Sequence, residues 1–232
     1  MVLFLSAVAY FSAIGLKAVV QVLTYGWVES TFGTASLPTG LYFGLQTCFL
    51  EVGLAYAVAK VAVSRGKIEA RDGEGYGISL AFWENGILLG ALSVFSLVIT
   101  YFLIADGLLS QSLYQTIVNA EPSAFLPPAQ IIIPSAFGIL ERISSLLLHF
   151  SWGYLCVLAA YLGRRRYFLA ALPMGLVDTL VPFASEVPVW VFESALFLIS
   201  LGALAAAWRV TETARRSGYA KALTPAAAPG SS

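Results

Sequence analysis

Six apolar stretches, 2–27, 38–63, 77–104, 136–162, 167–187 and 189–210, are separated along this chain by polar connections that are mostly short. A bilayer core about 30 Å thick is crossed by roughly 20 apolar residues at the helical rise of about 1.5 Å each. Each stretch therefore reads as a membrane-crossing helix. The pattern predicts an all-α fold, a polytopic transmembrane helix bundle of about six spans over residues 1–210. A disordered tail rich in Ala, Pro, Gly and Ser follows over 211–232. The fifth stretch is the shortest and contains Pro173 and Pro182. The first reads as a retained helix and not a signal peptide: no basic segment precedes it, it outruns an h-region, and Lys17 sits in its middle. Residues 105–135 form the one long connection. Pro122, Pro127, Pro128 and Pro134 with the apolar run Ile131-Ile132-Ile133 predict a short interfacial or re-entrant segment there.

Composition points the same way. Hydrophobic residues make up 59% of the 232 and charged residues only 11%, with a mean hydropathy of +0.82. Soluble domains carry about 25% charged residues, so this chain lacks the polar surface water demands. Its expected partner is membrane lipid. Thirteen basic and thirteen acidic side chains cancel, and no overall field invites nucleic acid or an acidic substrate. Cys48 and Cys156 both lie inside apolar runs and read as small packing residues, not a disulfide or zinc framework. The distribution of basic residues adds orientation. Lys60, Arg65, Lys67 and Arg71 mark the second connection, Arg164, Arg165 and Arg166 the fourth, and Arg209, Arg215, Arg216 and Lys221 the C-terminal end. The alternate connections hold Glu29, Asp106, Glu121 and Glu186 and no Lys or Arg. Basic loops stay cytoplasmic, so the alternation predicts an even number of spans with both termini inside. Trp27, Trp190 and Trp208 fall where interface anchors are expected.

Charges inside the spans need a reason, since one at mid-membrane costs at least about 2.5–3.5 kcal/mol. Lys17, Glu51, Glu84, His149 and Asp178 all fall about 10–23 Å from the cytoplasmic ends at the helical rise. Five helices thus bring polar groups to one broad layer, with Glu141 and Arg142 nearer the outer leaflet. Arg142, His149 and Cys156 recur every seventh residue and share one helix face. These groups can pair with one another as glue, Lys17 with Glu51 or Glu141 with Arg142. They can instead line a water-filled cavity in which a carboxylate and an imidazole activate water by general-base catalysis. No HExxH, GxSxG, GxGD or P-loop pattern sharpens the second reading. One histidine makes a poor catalytic metal site, so neither a metal nor a cofactor is expected. The pairs Gly86/Gly90 and Gly40/Gly44 are GxxxG patterns that let a helix backbone approach closely, within the bundle or from a partner.

Several of these residues carry a resemblance. Ser135-Ala136-Phe137, then Leu147-Leu148-His149-Phe150-Ser151-Trp152-Gly153, then Arg164-Arg165-Arg166-Tyr167 resemble the anterior-pharynx-defective subunit of gamma-secretase. Glu51-Val52 followed by Ala55-Tyr56 resembles its glutamate-valine helix, and Gly86/Gly90 falls near its glycine-rich helix. The likeness spans most of residues 40–210 and is specific from about 135 to 167. The chain also resembles YhfC-type proteins of the same superfamily, which includes the CAAX-processing intramembrane proteases. Gly15 to Gln21 is similar to their glycine-to-glutamine helix, and Glu141-Arg142 followed by His149 to their Glu-Arg…His helix. The protease motifs are eroded. Val52 and Ala55 stand where a second acid and an arginine belong, Leu80 and Met174 where histidines belong, and no histidine lies near Val177. Both relatives begin with one further span than this chain offers.

The resemblance implies a protease fold in which two expected histidines are gone. The leading expectation is a non-catalytic scaffold that assembles with and stabilises a membrane partner such as a presenilin-like aspartyl protease, with Gly86 and Gly90 at the contact. The alternative is a divergent YhfC-type glutamic intramembrane protease using Glu51, Glu84, His149 and Asp178. Transport through the polar cavity is a third reading, and it lacks the internal repeat that many transporters show.

Overall fold

The computed structural model describes residues 1–105, 107, 110–120 and 128–214. Among these, every regular element is helical. Four segments are long and apolar enough to cross a membrane: Val2–Phe32, Leu37–Ser64, Ser135–Leu162 and Val189–Thr213. The first is α1 (Val2–Phe32). The second joins α2 (Leu37–Gln46) to α3 (Gly53–Ser64) through a π-helical stretch, Thr47–Val52. Next, α4 (Gly73–Ala81), a second π-helical stretch (Phe82–Ala91) and α5 (Leu92–Ala105) run on without a break. A short α6 (Gln111–Ala120) precedes α7 (Pro128–Leu162), then α8 (Arg165–Ala171), a 3-10 stretch (Leu172–Phe183) and α9 (Val189–Ala214).

Local chemistry sets several boundaries. The Ser36 hydroxyl accepts from the Thr39 amide at 3.3 Å, and Pro38 follows in the first turn of α2, where its missing N–H costs nothing. Gly33 and Gly163, with φ of +82° and +62°, end α1 and α7 in a conformation that L side chains resist. Ahead of α4, the Glu69 amide donates to Asp72 Oδ2 at 2.8 Å in a reciprocal cap.

The predicted third span becomes the run from α4 to α5, an unbroken helix of changing pitch that is not among the four span-length candidates. The predicted fifth span is corrected more sharply. Over 167–187 the chain forms not one long α-helix but α8, of 7 residues, and 12 residues of 3-10 helix. A 3-10 run beyond three or four residues is uncommon. Pro173 and Pro182 each lack the N–H that an α ladder needs, which works against a regular α-helix here. The long connection is corrected too. Residues 111–120 are helical and α7 already begins at Pro128, taking in Ile131-Ile132-Ile133; Pro122 and Pro127 lie outside the described residues. Helix α9 continues to Ala214, and the expected tail from 215 onward lies outside them as well.

α1 shows how such a bundle is turned relative to a soluble one. Its buried positions in the N-terminal half are small or polar, Ser6, Ala9 and Ala13 with Tyr10, while Leu3, Phe4, Val22 and Leu23 are exposed. Small residues at the contact let helices approach, and large apolar ones face what surrounds the bundle. α7 is the central column, buried continuously from Ser151 to Ala159. Where α4 crosses it, backbone meets backbone. A Cβ on Gly153 would lie 2.7 Å from the Gly77 Cα, and one on Gly77 would lie 2.5 Å from the Phe150 carbonyl oxygen. Gly40 and Gly44 face Thr179 of the 3-10 stretch in the same way, so this GxxxG pair serves the chain's own bundle. Tyr76, fully buried beside the crossing, donates to the Ala55 carbonyl at 3.0 Å and ties α4 to α3.

Gly75 at the start of α4 lies against Val2. Glu74, Tyr154 near the end of α7, and Arg209 and Glu212 near the end of α9 line a common groove of about 460 Å³. Val2 of α1 and the C-terminal part of α9 thus both lie near the start of α4.

Candidate functional site

The polar layer lies between α1, α7 and the three stretches of altered helical pitch. Lys17 enters from α1. Its ammonium donates to Glu51 Oε1 at 2.5 Å, to Thr47 Oγ1 at 2.9 Å and to Asp178 Oδ2 at 3.4 Å. An ammonium has three donors, and all three are satisfied. The Thr47 hydroxyl also contacts Asp178 Oδ2, and it lies 3.3 Å from Glu51 Oε1. Glu51 and Thr47 sit on the first π-helical stretch and Asp178 on the 3-10 stretch, so one lysine pins three elements together.

His149 on α7 holds the second half. Its Nδ1 is 2.9 Å from the Ser145 carbonyl, which can only accept, so that nitrogen carries a hydrogen. Its Nε2 approaches Glu84 Oε2 at 2.8 Å and Glu51 Oε2 at 3.5 Å, out of line with both for a straight hydrogen bond. Trp152 packs tilted against the imidazole with ring centres 4.2 Å apart, and Tyr10 meets it edge-on at 6.3 Å. The Ser145 hydroxyl donates to Glu84 Oε2 at 3.1 Å and accepts from the Asn85 amide at 3.2 Å. Asn85 then accepts from Arg142 Nη1 at 3.3 Å, and Arg142 pairs with its neighbour Glu141. Glu84 and Asn85 both lie on the second π-helical stretch. Ser145→Ala should remove one of the contacts holding Glu84 and lower stability by about 1 kcal/mol in a thermal unfolding series. It leaves the Nδ1 bond to the 145 carbonyl in place.

The structure thus brings Lys17, Glu51, Glu84, His149 and Asp178 into one contact network, with Arg142 and Glu141 attached through Asn85. All seven line a cavity of about 250 Å³, floored by Trp152 and walled by Val177, Phe192 and Leu196. Cys156, two turns further along the His149 face, is fully buried, with its thiol 3.6 Å from the Val52 carbonyl; Cys48 contacts the Leu172 carbonyl at 3.0 Å. Both are free thiols used in packing. Leu80 and Met174, at the positions of the two absent histidines, are buried core side chains. Gly86 is exposed on the second π-helical stretch and a Cβ there would lie nearest the Phe82 ring, whereas a Cβ on Gly90 would lie 2.6 Å from the Asn85 carbonyl oxygen of its own turn.

Comparison with family models, with curated proteins and with solved structures found no match to this chain. The reading of the site therefore rests on its own geometry. Four residues escaped the reading of the sequence. Thr47 and Ser145 lie one helical turn before Glu51 and His149, a spacing that could have exposed them. Asn85 adjoins Glu84. Glu193, on α9, is a buried carboxylate close enough to Glu141 and Arg142 to feel their charge, and its Oε2 has no partner among the described residues. Its position a turn inside an apolar segment was the available signal.

Proposed function

We propose that this chain is a multi-pass membrane scaffold, with both termini cytoplasmic, that assembles with and stabilises another membrane protein such as a presenilin-like aspartyl protease. The carrying observation is how the buried charges are used. Glu51, the acid nearest to His149 after Glu84, is bound by the Lys17 ammonium, and the network ties α1, α7 and all three irregular stretches. A general base must instead be free to take a proton from water. Leu80 and Met174 can neither transfer a proton nor donate to an oxyanion. The network supports a registry-fixing role, in which each helix is locked at one height relative to its neighbours. The resemblance to the gamma-secretase subunit points to the same class of partner.

The test is affinity capture from native membranes. A membrane protein should co-purify in fixed ratio. Gly86→Leu, whose Cβ has the movable Phe82 ring as its nearest neighbour, should reduce its recovery several-fold while the chain itself stays monodisperse. Recovery unchanged by this substitution would remove Gly86 from the interface, and no reproducible partner would sink the scaffold reading.

A second reading has one specific observation in its favour. The 2.8 Å approach of His149 Nε2 to Glu84 beside a 250 Å³ cavity is the arrangement a YhfC-type glutamic protease would use. Incubation of the purified chain with single-span substrates decides it: cleavage abolished by Glu84→Gln or Glu51→Gln would promote hydrolysis over scaffolding.

The topology has its own test. Asp72→Cys and Asn119→Cys should be labelled from opposite faces of a sealed membrane, against a low background because Cys48 and Cys156 are buried. Labelling of both from one face would overturn the six-span arrangement.

A further inference from the structure

The donors and acceptors of the cavity are not balanced. Its positive groups point at carboxylates: Lys17 spends all three donors on Glu51, Asp178 and Thr47, and Arg142 reaches Glu141 and Asn85. Its negative groups keep oxygens to spare. Both contacts to Glu84 fall on Oε2 and both contacts to Asp178 on Oδ2, so Glu84 Oε1 and Asp178 Oδ1 accept nothing among the described residues. Four carboxylates line the cavity (Glu51, Glu84, Glu141 and Asp178) against three groups that can be positive (Lys17, Arg142 and His149). With all four carboxylates ionised, the count is acid-rich by one charge even with the imidazole protonated. Glu193, next in sequence to the lining residue Phe192, is 7% exposed and carries a buried oxygen without a partner among the described residues. An ionised oxygen in that state is costly unless the carboxyl takes up a proton or a cationic donor comes to it.

We propose that this cavity receives a guanidinium or primary ammonium group, which hydrogen-bonds to the free oxygens of Glu84 and Asp178. The volume limits what can bring it. Pockets for drug-sized ligands run from about 300 to 1,000 Å³, and about 250 Å³ suits a single long basic side chain or a small organic cation. The lining agrees with this, since it includes the aromatic rings of Trp152 and Phe192, a residue class that attracts desolvated cations. Two sources share the chemistry. One is a Lys or Arg on a transmembrane segment of the partner, a form that rests on the scaffold reading. The other is a free amine or guanidine, which does not.

The experiment titrates the purified chain in lipid nanodiscs, with calorimetry and tryptophan fluorescence as readouts. The probes are methylguanidinium, sodium, a single-span peptide bearing one mid-membrane Arg, and the same peptide with Leu in its place. Saturable binding of the Arg peptide but not the Leu peptide, with competition by methylguanidinium, is the result expected for a partner side chain. Methylguanidinium binding without peptide binding also supports the cavity, assigns it to a free cation and removes this part of the scaffold reading. Glu84→Gln and Asp178→Asn should each weaken binding by about tenfold, as loss of a charge-assisted hydrogen bond requires. Arg→Leu indifference in the peptide together with no saturable methylguanidinium binding overturns the proposal. So does equal response to sodium, or unchanged affinity in both variants while each remains folded by thermal unfolding.

Discussion

Lys17→Met is expected to destabilise the bundle by roughly 3–5 kcal/mol, the range found when one partner of a buried ion pair is removed. The ammonium is 14% exposed and the Glu51 carboxylate it meets at 2.5 Å is 9% exposed. Methionine fills similar volume but leaves Glu51 and Asp178 without the ammonium that bridges them. Glu51→Gln in the same background should recover much of the loss, because it deletes the stranded charge and keeps a hydrogen-bonding group near Thr47. The double-mutant cycle read by thermal unfolding in micelles measures the coupling directly. Additive losses would mean that the pair contributes nothing, and that the lysine is held for another reason.

Gly153→Val should be the most disruptive substitution that touches no charge. Its Cβ alone would sit 2.7 Å from the Gly77 Cα and 2.8 Å from Leu80 Cδ1, and backbone cannot swing aside as a flexible side chain can. Overpacking of this kind costs about 1–3 kcal/mol and occasionally more, and valine belongs at the upper end or beyond. The effect should reach the polar layer. α4 leads straight into the π-helical stretch that carries Glu84, so pushing α4 off α7 draws Glu84 away from His149. Gly15→Ala is the control: nothing lies within 4 Å of its Cβ, and alanine favours helix over glycine by about 1 kcal/mol. Equal melting temperatures for Gly153→Val and the parent chain would refute the close crossing.

Much of this architecture was legible in the order of residues, for physical reasons that also set the limits. Apolar length marked helices because lipid-compatible segments must satisfy their backbone internally. Counting depth from basic ends placed Lys17, Glu51, Glu84, His149 and Asp178 in one layer, because a charge in an apolar segment must find others. Pitch was not legible. Whether an N–H bonds four or five residues back leaves no mark on hydropathy, so the π-helical stretches at Thr47–Val52 and Phe82–Ala91 stayed hidden. The prolines of the fifth stretch were visible, yet their consequence, twelve residues of 3-10 helix, depends on the close seat that Gly40 and Gly44 give Thr179. Glu193 was missed because one acid near a segment's end resembles an ordinary boundary charge.

All three acids of the inner cavity, Glu51, Glu84 and Asp178, sit on helix whose winding departs from the α value, while Lys17, Arg142 and His149 sit on regular turns. This has a genealogical consequence. A π turn accommodates what an α-helix would register as a one-residue insertion. A descendant that lost a single residue between Thr47 and Val52 could regain α winding with both flanks of the helix still in phase, and only the residues of the turn itself, Glu51 among them, would change the face they present. Divergence in such a chain would advance by jumps at these turns: a change that keeps every apolar residue apolar could still turn an acid out of the cavity.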